Sequence, residues 1–263
     1  MFKRCVVACV AASCGVLAIP PVAFAGAWTL PAGAGQIMLT TTTSTSDHLF
    51  GFGAIPRYDK TETQALIEYG FTDRFTGILI PGLQHVDIAA PISAERTGLG
   101  YTEFGGRYEI FQGDSWVVSG QATVRVPGTH DRSNPAAIGY TDYETDLRAL
   151  FGHTFAVGSW PAFVDLQVAQ RFRAGTPPDE LRFDATFGVR PAPRWLVLAQ
   201  SFNVMSEGAG GPPFGRYDYY KFQLSGVYEL TPAWSVQAGA FTAYAGSNAL
   251  QENGLILGAW YRF

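Results

Sequence analysis

The chain has 263 residues, with 18 Lys and Arg against 22 Asp and Glu and a formal net charge of −4. That acidic balance disfavours a nucleic-acid partner, which requires a basic face. Aromatics make up 14%, glycines number 30 and charged residues are only 15%, a mixture too apolar for disorder and suited to many short strands joined by tight turns.

The N-terminus reads as a secretory signal. Lys3 and Arg4 form its positive region, CVVACVAASCGVLAI its apolar stretch, and Ala23-Phe24-Ala25 a small-x-small site with cleavage expected between Ala25 and Gly26. The apolar stretch is too short for a transmembrane helix and is interrupted by Pro20 and Pro21. Cys5, Cys9 and Cys14 all lie within it, so the mature chain would lack a disulfide framework and a thiolate metal site. Lipid attachment at Cys14 is the lesser reading, because no Leu stands three positions before it. Removing residues 1–25 leaves a single expected domain, 26–263.

Along that domain five short turns alternate with longer loops. The turns lie in EYGFTDRFTG (68–77), YEIFQGDSWVV (108–118), TFAVGSWPAF (154–163), FGVRPAPRWLV (187–197) and YELTPAWSV (228–236), where Asp, Gly and Pro make tight reversals between aromatics. Between them lie SDHLFGFGAIPRYDK, DIAAPISAERTG, GTHDRSNPAAIGYTD, AGTPPDE, SEGAGGPPFGRYD and AGSNALQEN, read as long loops at the opposite end. Twelve strands are expected, roughly 36–47, 60–71, 74–86, 98–111, 115–127, 141–155, 160–173, 180–190, 194–205, 217–230, 233–245 and 253–263. An even number with unequal ends is the layout of an antiparallel up-and-down transmembrane β-barrel with short periplasmic turns and long outer loops.

Alternation supports this reading. Leu181, Phe183, Ala185, Phe187 and Val189 share one face, against Arg182, Asp184, Thr186, Gly188 and Arg190. A one-residue slip would turn arginines toward lipid, at about 2–4 kcal/mol for each near the midplane. A soluble β-sandwich or lipocalin-like barrel is the alternative. Against it stand two aromatic bands of the kind that membrane interfaces select. Phe71, Phe75, Phe111, Trp116, Phe155, Trp160, Trp195, Tyr228, Trp234, Tyr261 and Phe263 fall near the short turns. Tyr58, Tyr101, Tyr140, Phe172, Tyr217, Tyr219 and Tyr244 fall near the long loops.

The chain closes on GLILGAWYRF, where Leu255, Leu257, Tyr261 and Phe263 resemble the C-terminal signal strand that the barrel-assembly machinery reads. Together with GAWTLPAGAGQ, SWVVSGQATVRVPG and NALQENGLILGAWYRF, it resembles the XagA-type outer-membrane proteins. That resemblance implies a bacterial outer-membrane location, lipid as a partner, and a link to biofilm polysaccharide loci.

Motifs for chemistry are weak. His48, His85 and His130 fall in or beside expected outer loops and His153 near the periplasmic aromatic band, with no GxSxG or HExxH. Asp142, Glu144 and Asp146 stand two apart and suggest calcium, but a solvated inner face beside Arg148 is the preferred reading. Gly208, Gly210 and Gly211 lack the Lys-Ser/Thr of a phosphate loop. No enzyme, metal or cofactor is expected.

What remains is the lumen. Alternation assigns to it Glu62, Glu68, Glu103, Arg107, Glu109, Arg125, Arg148, Asp165, Arg171, Arg182, Asp184, Arg190, Lys221, Glu229 and Arg262, together with Glu144, Asp146 and Arg173. Mixed charges of this kind fill space as buried pairs or border a narrow wet path. The expectation is a narrow passive channel or export pore for small hydrophilic or saccharide solutes. The alternatives are a plugged barrel whose outer loops bind a partner and, less favoured, a membrane-embedded hydrolase using His153.

Overall fold

Two-residue periodicity becomes a closed sheet. The computed structural model describes residues 26–128, 131, 133–137 and 142–263. The expected signal peptide with Ala25, and also His130 and Tyr140, lie outside those residues. The strands are β1 (Gly35–Leu49), β2 (Gly53–Thr72), β3 (Phe75–Ile80), β4 (Gly82–Ile88), β5 (Ala94–Leu99), β6 (Thr102–Gln112) and β7 (Trp116–Val126). They continue as β8 (Glu144–Val157), β9 (Trp160–Arg173), β10 (Glu180–Ala192), β11 (Trp195–Ser206), β12 (Asp218–Glu229), β13 (Trp234–Ser247) and β14 (Asn253–Arg262).

These fourteen segments form one antiparallel sheet, but they make twelve staves. β3 and β4 are one stave interrupted at Pro81, which has no N–H to offer the ladder; its carbonyl still accepts from the Ala65 amide at 3.1 Å. β5 and β6 are one stave interrupted at Gly100 and Tyr101. The sheet closes because β1 pairs with β2 on one side and β14 on the other, with Gln36 opposite both Glu68 and Arg262. The result is the expected all-β, twelve-stave antiparallel barrel.

Two outer connections differ from expectation. SDHLFGFGAIPRYDK is largely strand, since β1 and β2 rise together to a turn at residues 50–52. DIAAPISAERTG likewise belongs mostly to the β4–β5 hairpin. Neither segment shows the sustained alternation of a lipid-crossing strand; backbone pairing holds both hairpins, and Tyr58, Ile88 and Ala94 pack with Val86 and Ala136.

Side chains sort inside out. Leu39, Phe104, Leu147, Val168, Leu181, Leu224, Leu255 and Leu257 are exposed on the outer face, while Glu68, Arg107, Asp146, Asp165 and Arg171 are buried within. That inversion is what a hydrocarbon surround and a polar interior select. At the short-turn end Trp195 meets Tyr228 at 4.9 Å, Trp234 meets Tyr261 at 4.7 Å and Tyr261 meets Phe263 at 5.7 Å, part of a belt of rings around the rim. The second expected band is thinner. Phe172 and Tyr244 face outward, but Tyr101, Tyr217 and Tyr219 line the interior. Tyr217 and Tyr219 share the parity of Lys221, which places them on its face, and Tyr101 sits where the β5–β6 break resets the alternation.

Candidate functional site: a charged lumen above an apolar floor

Before β1 begins, residues 26–34 fold back into the periplasmic mouth. Gly33 and Gly70 fasten this segment at the rim, the Gly33 amide donating to the Gly70 carbonyl at 2.8 Å. Further in, the Leu30 amide donates to Thr76 Oγ1 at 2.8 Å and Ser119 Oγ to the Ala27 carbonyl at 2.5 Å. The Arg107 guanidinium donates to the Trp28 carbonyl at 3.0 Å and to Glu68 Oε1 at 2.9 Å. At the innermost end the Ala27 amide donates to Asp165 Oδ2 at 2.6 Å.

Trp28 is the centre of this floor. Its ring meets Phe163 edge-on at 5.9 Å and lies over Gly152, where a Cβ would fall 2.6 Å from the indole. Val117, Leu150, Phe163, Leu196, Leu198, Val227 and Trp260, with Met38 beside them, point inward and bury themselves with Trp28 and Ala27. Apolar side chains therefore fill much of the short-turn end of the lumen and make it the narrowest part.

Above the floor lies a cavity of about 870 Å³. Eight basic and eight acidic side chains line it, with Gln64, Gln121, Gln167 and Gln200 among them. Its dominant feature is an ion network on β6 to β10. Arg125 bridges Glu103, at 3.2 Å, and Glu144. Arg173 holds Glu144 at 2.8 Å and Glu180 at 3.3 Å, and Arg171 holds Asp146 at 3.0 Å. Arg148 reaches Asp184 at 2.6 Å and Gln167 at 2.6 Å. Arg182 completes the set 3.7 Å from Glu180. Five guanidiniums thus face five carboxylates. Each is desolvated by the wall, so loss of one partner would strand the other.

Two smaller clusters flank it. Toward the outer end Lys60 approaches Glu62 at 3.7 Å and Glu252 at 4.0 Å, and Lys221 donates to Glu252. Burial pushes the Glu252 carboxyl up, but Lys60 and Lys221 pull it further down, leaving it below its ordinary value. At the periplasmic rim Arg190 holds Glu229 at 2.9 Å with Arg262 at 3.9 Å from the same carboxylate, and Glu109 lies 3.9 Å from Arg74.

Of the residues assigned to the lumen by alternation, only part of the set meets in the cavity. Glu62, Glu68, Glu103, Arg107, Arg125, Arg148, Asp165, Arg171, Arg182, Asp184 and Lys221 line it. Glu109, Arg190, Glu229 and Arg262 lie below, at the rim. Lys60, Glu180 and Glu252 line the cavity as well and were not assigned to it by alternation: Lys60 and Glu180 stand at the first position of an expected strand, where it overlaps an expected loop, and Glu252 lies in the stretch read as loop.

The alternative chemistries find little support in the geometry. Glu144 and Asp146 turn their oxygens to arginines rather than to a vacant ion site. His153 is stacked on Phe155 at 5.7 Å, with Nδ1 3.0 Å from the Ser115 carbonyl oxygen, and belongs to the rim belt. His48 lies 2.7 Å from Asp47 and His85 2.7 Å from Thr97, both exposed.

Comparison with solved structures assigns the architecture. An outer membrane channel from Pseudomonas putida F1 superposes with a TM-score of 0.72 over 92% of this chain and 100% of its own, at 15% identity. The chain has the fold of a bacterial outer-membrane barrel. The translocator domain of the autotransporter NalP from Neisseria meningitidis matches at a TM-score of 0.55 and 12% identity, covering 89% of this chain and 90% of that one. The NanC porin matches at 0.53 and 9% identity, covering 86% and 98%. No family model matches the sequence, and no curated protein matches it.

Proposed function

We propose that this protein is exported through the secretory pathway to the bacterial outer membrane and there forms a narrow passive channel for small hydrophilic solutes, saccharides among them. The observation that carries the reading is the lumen: a cavity of about 870 Å³ with equal numbers of acidic and basic groups, amides and inward tyrosines. Twelve staves fall between the filled interior of ~8 strands and the aqueous channel of 16–18. Fixed charge and bore then set what passes. Because the guanidiniums are matched by carboxylates, the lining offers hydrogen bonds without a large net potential. A neutral hydroxyl-rich solute can exchange water for such partners, and Tyr217 and Tyr219 present rings for a sugar face. The likeness to the Pseudomonas putida channel supports the fold underlying this reading. The resemblance to XagA-type proteins extends it to export associated with exopolysaccharide.

The apolar floor favours a second reading, a plugged barrel whose outer surface binds a partner. Swelling of liposomes containing the folded protein distinguishes the two. The channel predicts influx of monosaccharides and disaccharides that falls with solute size, whereas the plugged barrel predicts none. Heat-modifiable gel migration together with outer-membrane fractionation tests the location, and recovery as a soluble periplasmic protein would refute it.

A further inference from the structure

Asp165 is a carboxylate whose neighbours leave its charge unmatched. Its side chain is 1% exposed. It accepts from the Ala27 amide at 2.6 Å and from the Gln167 side-chain amide at 2.5 Å, both neutral donors. Among the described residues, no Lys or Arg forms an ion pair with it: Arg107 is turned to Glu68 and Arg148 to Asp146 and Asp184. An ionised carboxylate taken from water without a counter-charge is costly.

The residue pressed against that carboxylate is Gly26. A Cβ built on it would lie 2.2 to 2.3 Å from all three carboxyl-group atoms of Asp165, and its φ of +71° also favours glycine. Its nitrogen, one bond from that Cα, is within a few ångströms of the acid. Gly26 also lines the cavity, inside the polar lumen. The small-x-small site Ala23-Phe24-Ala25 ends immediately before it.

We infer that hydrolysis of the Ala25–Gly26 bond creates an α-ammonium that pairs with Asp165 inside the barrel, and that this pair locks residues 26–31 in place as the floor. Hydrolysis by the signal peptidase of the secretory pathway consumes one water, leaves a carboxylate on Ala25 and places the ammonium on Gly26. Maturation would thus supply the cation that Asp165 lacks. The inference rests on the secretory reading, though not on solute transport, and it stands whether or not the lumen conducts.

The test uses protein extracted folded from the outer membrane. Intact-mass and N-terminal sequencing are expected to show a chain beginning at Gly26; a different first residue overturns the inference. Acetylation by an amine-reactive ester at neutral pH, followed by peptide mass spectrometry, then reads the α-amine. It is expected to react at least tenfold more slowly in the folded wild type than in the same protein unfolded, and Asp165→Asn should abolish most of that protection. If Asp165→Asn does not fold, Gly26→Ala serves instead, because its methyl displaces the amine from an intact carboxylate and should expose it similarly. Equal rates in folded and unfolded wild type, or full protection in a folded variant, would contradict the pair.

Discussion

Gly35 and Phe263 exchange two backbone hydrogen bonds, the Gly35 amide donating to the Phe263 carbonyl at 2.8 Å and the Phe263 amide to the Gly35 carbonyl at 3.0 Å. The last residue therefore seals the seam between the first and last strands, and its ring covers Gly35 and stacks on Tyr261. Deleting Phe263 removes this exchange and the end of the aromatic belt without touching the cavity. Heat-modifiable migration of membrane fractions should show several-fold less assembled barrel, and the surviving barrels should retain wild-type solute preference.

Glu144 accepts from Arg125 and Arg173 and lies 3.8 Å from Arg171. Glu144→Gln keeps the shape and removes the charge, leaving three guanidiniums with less compensation. A loss of about 3–5 kcal/mol is expected from breaking a buried pair, read as a lower urea midpoint in unfolding from detergent or bilayers. The double variant Glu144→Gln with Arg173→Gln should recover part of the loss.

Acid reaches the partnered Glu252 carboxylate only after ordinary carboxylates have begun to protonate. The Glu252 pKa is lowered in the folded protein, so the stability that it contributes is present above its unfolded pKa and is lost as pH falls through the depressed folded value. Glu252 is faced by Lys60 and Lys221, with Glu62 beside them. Its protonation would take from Lys221 its carboxylate partner and leave Lys60 with Glu62 alone. The ratio of anion to cation permeability should rise below the ordinary carboxylate range, and Glu252→Gln should show a raised ratio already at neutral pH.

The sheet was legible where the two faces differ chemically. On β10, Leu181, Phe183 and Phe187 against Arg182, Asp184 and Arg190 admit one orientation in a membrane. The threonine-rich β1 offers no such contrast, and its position follows from pairing with β2 and β14. Glu180 was hidden behind Pro177 and Pro178, which read as loop, although it starts β10 and joins the central network. Tyr219 could have been placed by counting two from Lys221; its aromatic character outweighed its parity. The floor was missed because inward positions were assumed polar. A signal for it exists in Trp116-Val117-Val118 and Trp195-Leu196-Val197-Leu198, where both parities are apolar close to a short turn. An aqueous lumen gives no reason for that, whereas an inserted segment does. The cavity's ion pairs were beyond sequence, since partners across three strands depend on stagger.

Trp28 ties the floor to conduction. Its replacement by Ala should cost about 3–5 kcal/mol, as for other buried aromatics, and loosen the seal between Phe163 and the ring of inward aliphatics. Lower thermal stability accompanied by a larger permeability to monosaccharides is expected, read by unfolding and liposome swelling on the same preparation.

Single-channel recording in planar bilayers tests most directly whether the charged lumen is a solute path narrowed by residues 26–31. Wild type should show small, resolvable conductance steps, and a mature chain lacking residues 26–31, verified as folded, should show larger ones. Absence of current from both folded proteins under any applied voltage or salt would contradict the channel. Equal conductance in the two would contradict the floor as its narrowest point.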